Sequence, residues 1–126
     1  MAGPEIEAGF TALVVEDEPL IALDTEDMLR ELGASDVRII DHIEDARAQL
    51  AEARYGVVVF DLDLGGVSTE ALVTDYAARG HKAIVVSGSD REPPSLVGAG
   101  VRMLTKPIDP AQLRGALAET GIAMRG

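Results

Sequence analysis

Cysteine is absent from this chain, so neither a disulfide nor a thiolate metal site can be built, and a reducing cytoplasm is the simplest compartment for it. Positive charge is scarce as well. Eleven Lys and Arg stand against twenty-two Asp and Glu, a formal net charge of -11. Such a surface repels nucleic acid phosphates and anionic membranes, and no local cluster of basic residues reverses the sign. No apolar run is long enough to span a bilayer, and the opening "MAGPEIEAG" lacks the basic segment and apolar stretch of a signal peptide. Internal repeats, low-complexity segments and shifts of composition are missing too. With 126 residues, 47% of them hydrophobic, the expectation is one cytoplasmic globular domain over residues 11–126 behind a flexible tail, residues 1–10.

What the chain does have is an alternation of short apolar runs with helical patterns. "TALVV" stops at Glu16, Asp17 and Glu18, and Pro19 then suits the first turn of a helix running to about Leu32 and ending at Gly33. That helix supplies Ile21, Met28 and Leu32 to the core. "VRII" makes a second strand. Asp41 and Glu44 have the spacing of a capping box, opening a helix with Ile43, Ala46 and Leu50 on one face. "GVVVFD" is apolar on both faces and therefore central. After a Gly65-Gly66 loop, Ser68 caps a third helix through Leu72 and Tyr76 to Gly80. "KAIVVS" is a fourth strand, and "SDREPPSLVGAG" leaves room for at most a turn or two of helix. "VRMLT" gives a fifth strand, followed by Lys106, Pro107 and a last helix capped by Asp109. Five strands alternating with helices demand right-handed crossovers and a parallel sheet covered on both faces.

In such a sheet ligands gather beyond the carboxyl ends of the strands. Glu16 and Asp17 leave the first strand there, Asp61 and Asp63 the third, Ser87 the fourth and Lys106 the fifth. Packed carboxylates push one another toward the neutral form unless a cation neutralises them, and a hard divalent ion such as magnesium or manganese suits oxygen donors. A carboxylate beside such an ion, with an ammonium opposite, can attack phosphorus. The glycines leave room for a phosphoryl group. Each residue also has a plain reading: Glu16 and Asp17 favour the positive end of a helix, Ser87 caps a turn, and Lys106 is a solvated charge. Their coincidence on one edge argues for a site. His42 and His81 have no partner at ligand spacing and are read as surface residues.

In this order, "VVEDEP", "VVVFDLDL", "VVSG" and "LTKPID" resemble the receiver domain of two-component response regulators, over about Thr11 to Thr120. The resemblance implies a flavodoxin-like, doubly wound five-stranded sheet of order 2-1-3-4-5 with a short or missing fourth helix. It implies that Asp61 accepts phosphate from a histidine kinase or histidine phosphotransfer protein. It further implies that Glu16, Asp17, Asp61 and the backbone carbonyl of Asp63 hold magnesium, that Ser87 and Lys106 contact the phosphoryl group, and that the bond to Pro107 is cis. Such a domain is not an enzyme beyond assisting its own phosphorylation and dephosphorylation. "VVVFDLDLG" also resembles the first motif of haloacid-dehalogenase-type phosphatases, with Asp61 as nucleophile and Asp63 as general acid. The order of the acidic pair, ahead of Asp61, argues against that family.

Two positions depart from the receiver pattern. Met103 stands where many receivers carry a switching Tyr or Phe, and the Pro93-Pro94 segment shortens the fourth helix. The shortening, with "VEDEPLIALDTEDML", is similar to a subgroup of alphaproteobacterial receivers. Leu20, Leu23 and the Ile108 loop are candidates to touch the phosphodonor, or else Leu20 and Leu23 pack on a neighbouring helix. The sequence leaves open whether the domain acts alone or within a larger protein.

Overall fold

A strand that is apolar at every position needs cover on both faces of its sheet. The computed structural model, which describes residues 9–89, 93–96 and 100–122, provides it. The main sheet contains β1 (Phe10–Val15), β2 (Ala34–Ile40), β3 (Val57–Asp61), β6 (Ala83–Ser87) and β7 (Arg102–Thr105). All are parallel, in the order β2-β1-β3-β6-β7. Counted alone these strands run 2-1-3-4-5, the flavodoxin-like doubly wound order. β3 and β6 are buried at every residue and lie inside the sheet. The chain leaves β1 for the edge strand β2 and returns to β3 on the other side, which opens a crevice between the ends of β1 and β3.

Side chains alternate across the sheet and build two cores. Ala12, Val14, Val57, Val59, Ile84 and Val86 meet Leu29 of α1 (Pro19–Glu31) and Leu113, Ala116 and Leu117 of α4 (Pro110–Glu119). Leu13, Val15, Val58, Phe60 and Val85 meet Ala46 of α2 (Ile43–Glu52) and Leu72, Val73 and Tyr76 of α3 (Glu70–Ala78). Each such Val, Leu, Ile or Phe side chain contributes about 2 kcal/mol on leaving water. The inner face of α1 is narrower than its sequence implies. Ala22, Thr25 and Leu29 are buried, Met28 and Leu32 are partly buried at the margin, and Ile21 stays outside both clusters.

Several local expectations are corrected. Phe10 is buried and begins β1, one residue ahead of the expected "TALVV" strand; residues 1–8 lie outside the described part. β2 starts three residues before "VRII", because Ala34 and Asp36 pair with Phe10 and Thr11 along an exposed edge where polar side chains are tolerated. The capping box does not form. His42, extended at φ -130, is the N-cap of α2 with no side-chain cap, and Asp41 instead meets the His42 ring, Oδ1 to Nδ1 at 2.8 Å. Thr69 rather than Ser68 is the N-cap of α3. His81 is half-buried, its ring stacked on Tyr76 at a centroid distance of 4.6 Å.

The Gly65-Gly66 segment is no loose loop. It closes a hairpin of β4 (Asp63–Leu64) and β5 (Val67–Ser68), with Gly65 at φ 59 and Gly66 at φ 88, positive angles that a two-residue hairpin turn needs. In the fourth-helix region the described residues form only a three-residue 3-10 turn, Pro94–Leu96, with Leu96 buried. Residues 90–92 and 97–99, which flank it, lie outside the described part.

Candidate functional site

The first residue beyond each of β1, β3 and β7 is still held by the ladder. The Glu16 amide donates to the Ile40 carbonyl at 3.0 Å, Leu62 to Val86 at 2.9 Å and Lys106 to Ser87 at 2.7 Å. Asp61 is the last residue of β3 and Ser87 the last of β6, one residue past the Val86 that pairs with Asp61. The Lys106–Pro107 peptide is cis.

These backbones bring the carboxylates together. Glu16, Asp17 and Asp61 each present an oxygen within 4.8 Å of the others. Lys106 Nζ stands 3.3 Å from Glu16 Oε1 and 3.2 Å from Asp61 Oδ2. Glu16 Oε2 accepts the Glu18 amide at 3.1 Å, and Asp61 Oδ1 accepts the Asp63 amide at 3.2 Å. Glu16 and Asp61 are each only 5% exposed, whereas Asp17 and the Asp63 side chain face solvent. Ser87 is buried, and its hydroxyl accepts the Ser89 amide at 3.1 Å.

Burial raises the Glu16 carboxyl above the ordinary glutamate value; the Glu18 amide and Lys106 oppose the shift, and the Asp61 charge adds to it. Burial alone would lower the Lys106 ammonium, but Asp61 and Glu16 together outweigh it and hold Lys106 above its usual value. One ammonium thus spans two buried acids while a third stands beside them. Three converging hard oxygen donors with excess negative charge fit a small divalent cation, and Glu16, Asp17 and Asp61 are the residues that could hold it. The sequence placed all three, with Ser87 and Lys106, on this edge. It missed how near the hairpin comes: a Cβ on Gly65 would meet Asp17 Oδ2 at 3.4 Å. The signal was present, since Gly-Gly between "DL" and "VS" is a hairpin pattern.

Beside this cluster Leu20 is 73% and Leu23 52% exposed. Leu23 shares a groove of about 330 Å³ with Glu16, Asp17 and Asp41. On the other flank, Ile21, Met28, Lys106 and Ile108 line one of about 320 Å³. Met103 is half-buried against the α2 and α3 core. A second cluster with ligand spacing, Asp41, His42 and Asp45, is wholly exposed, which corrects the reading of His42 as unpartnered. Asp41 also raises the His42 ring, through its hydrogen bond first and its charge second.

Comparison with known proteins followed the same lines. Curated protein sequences give no match. Among solved structures, a CheY-like response regulator receiver domain from Methylobacillus flagellatus is 29% identical, with a TM-score of 0.77 over 87% of this chain and 97% of its own. SdrG from Sphingomonas melonis is also 29% identical, with a TM-score of 0.77 over 91% of this chain and 98% of its own. The receiver domain of sensor histidine kinase PA1611 from Pseudomonas aeruginosa has a magnesium ion coordinated in its active site cleft. It is 25% identical, with a TM-score of 0.77 over 91% of this chain and all of its own. A family model, the response regulator receiver domain, matches residues 12–118, and favours this reading over the phosphatase one. Because that match runs from β1 into the last turn of α4, the whole sheet included, the chain belongs to the response regulator receiver domain family.

Proposed function

We propose that Asp61 accepts a phosphoryl group from a phosphohistidine, carried in the cytoplasm by a histidine kinase or a histidine phosphotransfer protein, and that the chain signals by changing shape or passing the phosphate on. The observation that supports this most is Lys106 held between Asp61 and Glu16, with Asp17 completing the acidic cluster. A carboxylate oxygen of Asp61 attacks phosphorus as the phosphorus–nitrogen bond breaks, and the electron pair stays on the imidazole nitrogen, which takes up a proton. A magnesium or manganese ion on Glu16, Asp17, Asp61 and the Asp63 carbonyl would supply positive charge to the phosphoryl oxygens. Lys106 stays with the charge as it spreads from carboxylate to phosphoryl group. Ser87 turns its hydroxyl from the Ser89 amide to the new acceptors, drawing the loop after β6 toward the site. Water later cleaves the acyl phosphate, restoring the Asp61 carboxylate and releasing phosphate, so the domain turns over only its own modification. With a thioether at Met103 the signal runs through that loop rather than through rotation of a ring.

Acetyl phosphate and intact-protein mass spectrometry test this. One phosphoryl group should appear on the wild-type chain with magnesium and none after chelation or in Asp61→Asn. Uptake by Asp61→Asn at the wild-type rate would end the reading. The donor's helix bundle docks on Leu20 and Leu23 beside the Ile108 loop. Exchanging both leucines for Ser should therefore leave the acetyl phosphate rate and the stability within about 0.5 kcal/mol of wild type, as surface changes do. Transfer from a phosphorylated kinase should fall at least tenfold, since the roughly 1.4 kcal/mol of a tenfold change is less than the burial of even one leucine contributes.

A further inference from the structure

Among the described residues five polar or charged side chains are buried: Glu16, Thr25, Asp61, Thr69 and Ser87. Three belong to the site, and Thr25 donates to the Ile21 carbonyl one turn back in its own helix. Thr69 is different. It is 0% exposed, and its hydroxyl donates to the backbone carbonyl of Asp61 at 2.8 Å, with the Leu62 carbonyl at 3.3 Å. Its own amide donates to Leu62 at 2.9 Å. A threonine at a helix N-cap ordinarily accepts an amide of the first turn, yet Thr69 makes no such bond. Ser68 Oγ takes the Glu70 amide instead, at 3.1 Å. The hydroxyl is thereby turned away from α3 and onto the end of β3, where the chain leaves the ladder for the hairpin.

We propose that Thr69 is a positioning residue for phosphoryl acceptance, its hydroxyl fixing the Asp61 peptide so that the carboxylate stands at a set place between Lys106 and the Asp63 amide. This rests on Asp61 being the phosphoacceptor. Thr69→Val keeps the branched volume and removes the hydroxyl, and Thr69→Ser keeps the hydroxyl. Val57→Ala, at the far end of β3, supplies a destabilised control away from the site. With acetyl phosphate and saturating magnesium, Thr69→Val should lower the maximal phosphorylation rate about tenfold, as misplaced reacting groups do. The half-saturating donor concentration should not change, Thr69→Ser should recover most of the rate, and Val57→Ala should keep it. Should Thr69→Val not fold, Thr69→Ala is read the same way. A wild-type rate in the folded variant, a loss that Ser does not recover, or one that Val57→Ala shares would each overturn the proposal. Asp61→Asn run alongside separates the failures: if it stays inert while Thr69→Val is unaffected, only the role of Thr69 falls. If wild type takes up no phosphate, or Asp61→Asn takes it up, the phosphoacceptor reading falls with it.

Discussion

Glu16 carries a charge that the fold holds at a cost. Its folded value is raised, so its contribution to stability is complete below the unfolded glutamate value and is lost as pH rises through the folded one. The metal-free domain therefore holds a desolvated carboxyl group beside Asp61, a cost that a divalent ion bound there would offset. Magnesium should raise the melting temperature most at neutral pH and progressively less as Glu16 takes up a proton, measured by differential scanning fluorimetry. Glu16→Gln should raise the melting temperature of the metal-free fold, because it removes a buried negative charge that stands beside Asp61. The same change should weaken magnesium binding in a calorimetric titration. A melting temperature lowered by Glu16→Gln would contradict this account.

At the scale of elements, the β4–β5 hairpin borders the acidic edge of the sheet. Gly65 and Gly66 both have positive φ, so Ala at either should cost about 1 kcal/mol in backbone strain. Only at Gly65 would the new methyl touch Asp17; at Gly66 it meets nothing within 4 Å. Magnesium affinity should accordingly drop in Gly65→Ala and stay near wild type in Gly66→Ala, while both lose similar stability in urea. What was legible beforehand divides along the same line. Strands apolar on both faces, such as "VVVFD", announce a central position, and a Pro after an acidic turn announces a helix. The unmade capping box and the turned hydroxyl of Thr69 depend on which of several polar partners a backbone group finds. That choice is settled by tertiary contact, not by residue type.

The whole molecule carries a net charge of -11, and the buried acids among the described residues, Glu16 and Asp61, lie on one rim of the sheet. General repulsion is screened by any salt, whereas a divalent cation held by the cluster would act beyond that screening. At equal ionic strength magnesium chloride should raise the melting temperature more than sodium chloride, and the excess should vanish in Asp17→Asn with Asp61→Asn. An equal response to both salts would mean that the rim acts only as diffuse charge.

Three amides that open the functional segments, at Glu16, Leu62 and Lys106, are each tied to the carbonyl of an adjoining strand. Hydrogen–deuterium exchange should find them among the slowest in the chain, keeping time with global unfolding rather than with loop breathing. The acidic rim and the cooperative sheet would then be one unit, the rim keeping its shape for as long as the β-ladder stays zipped.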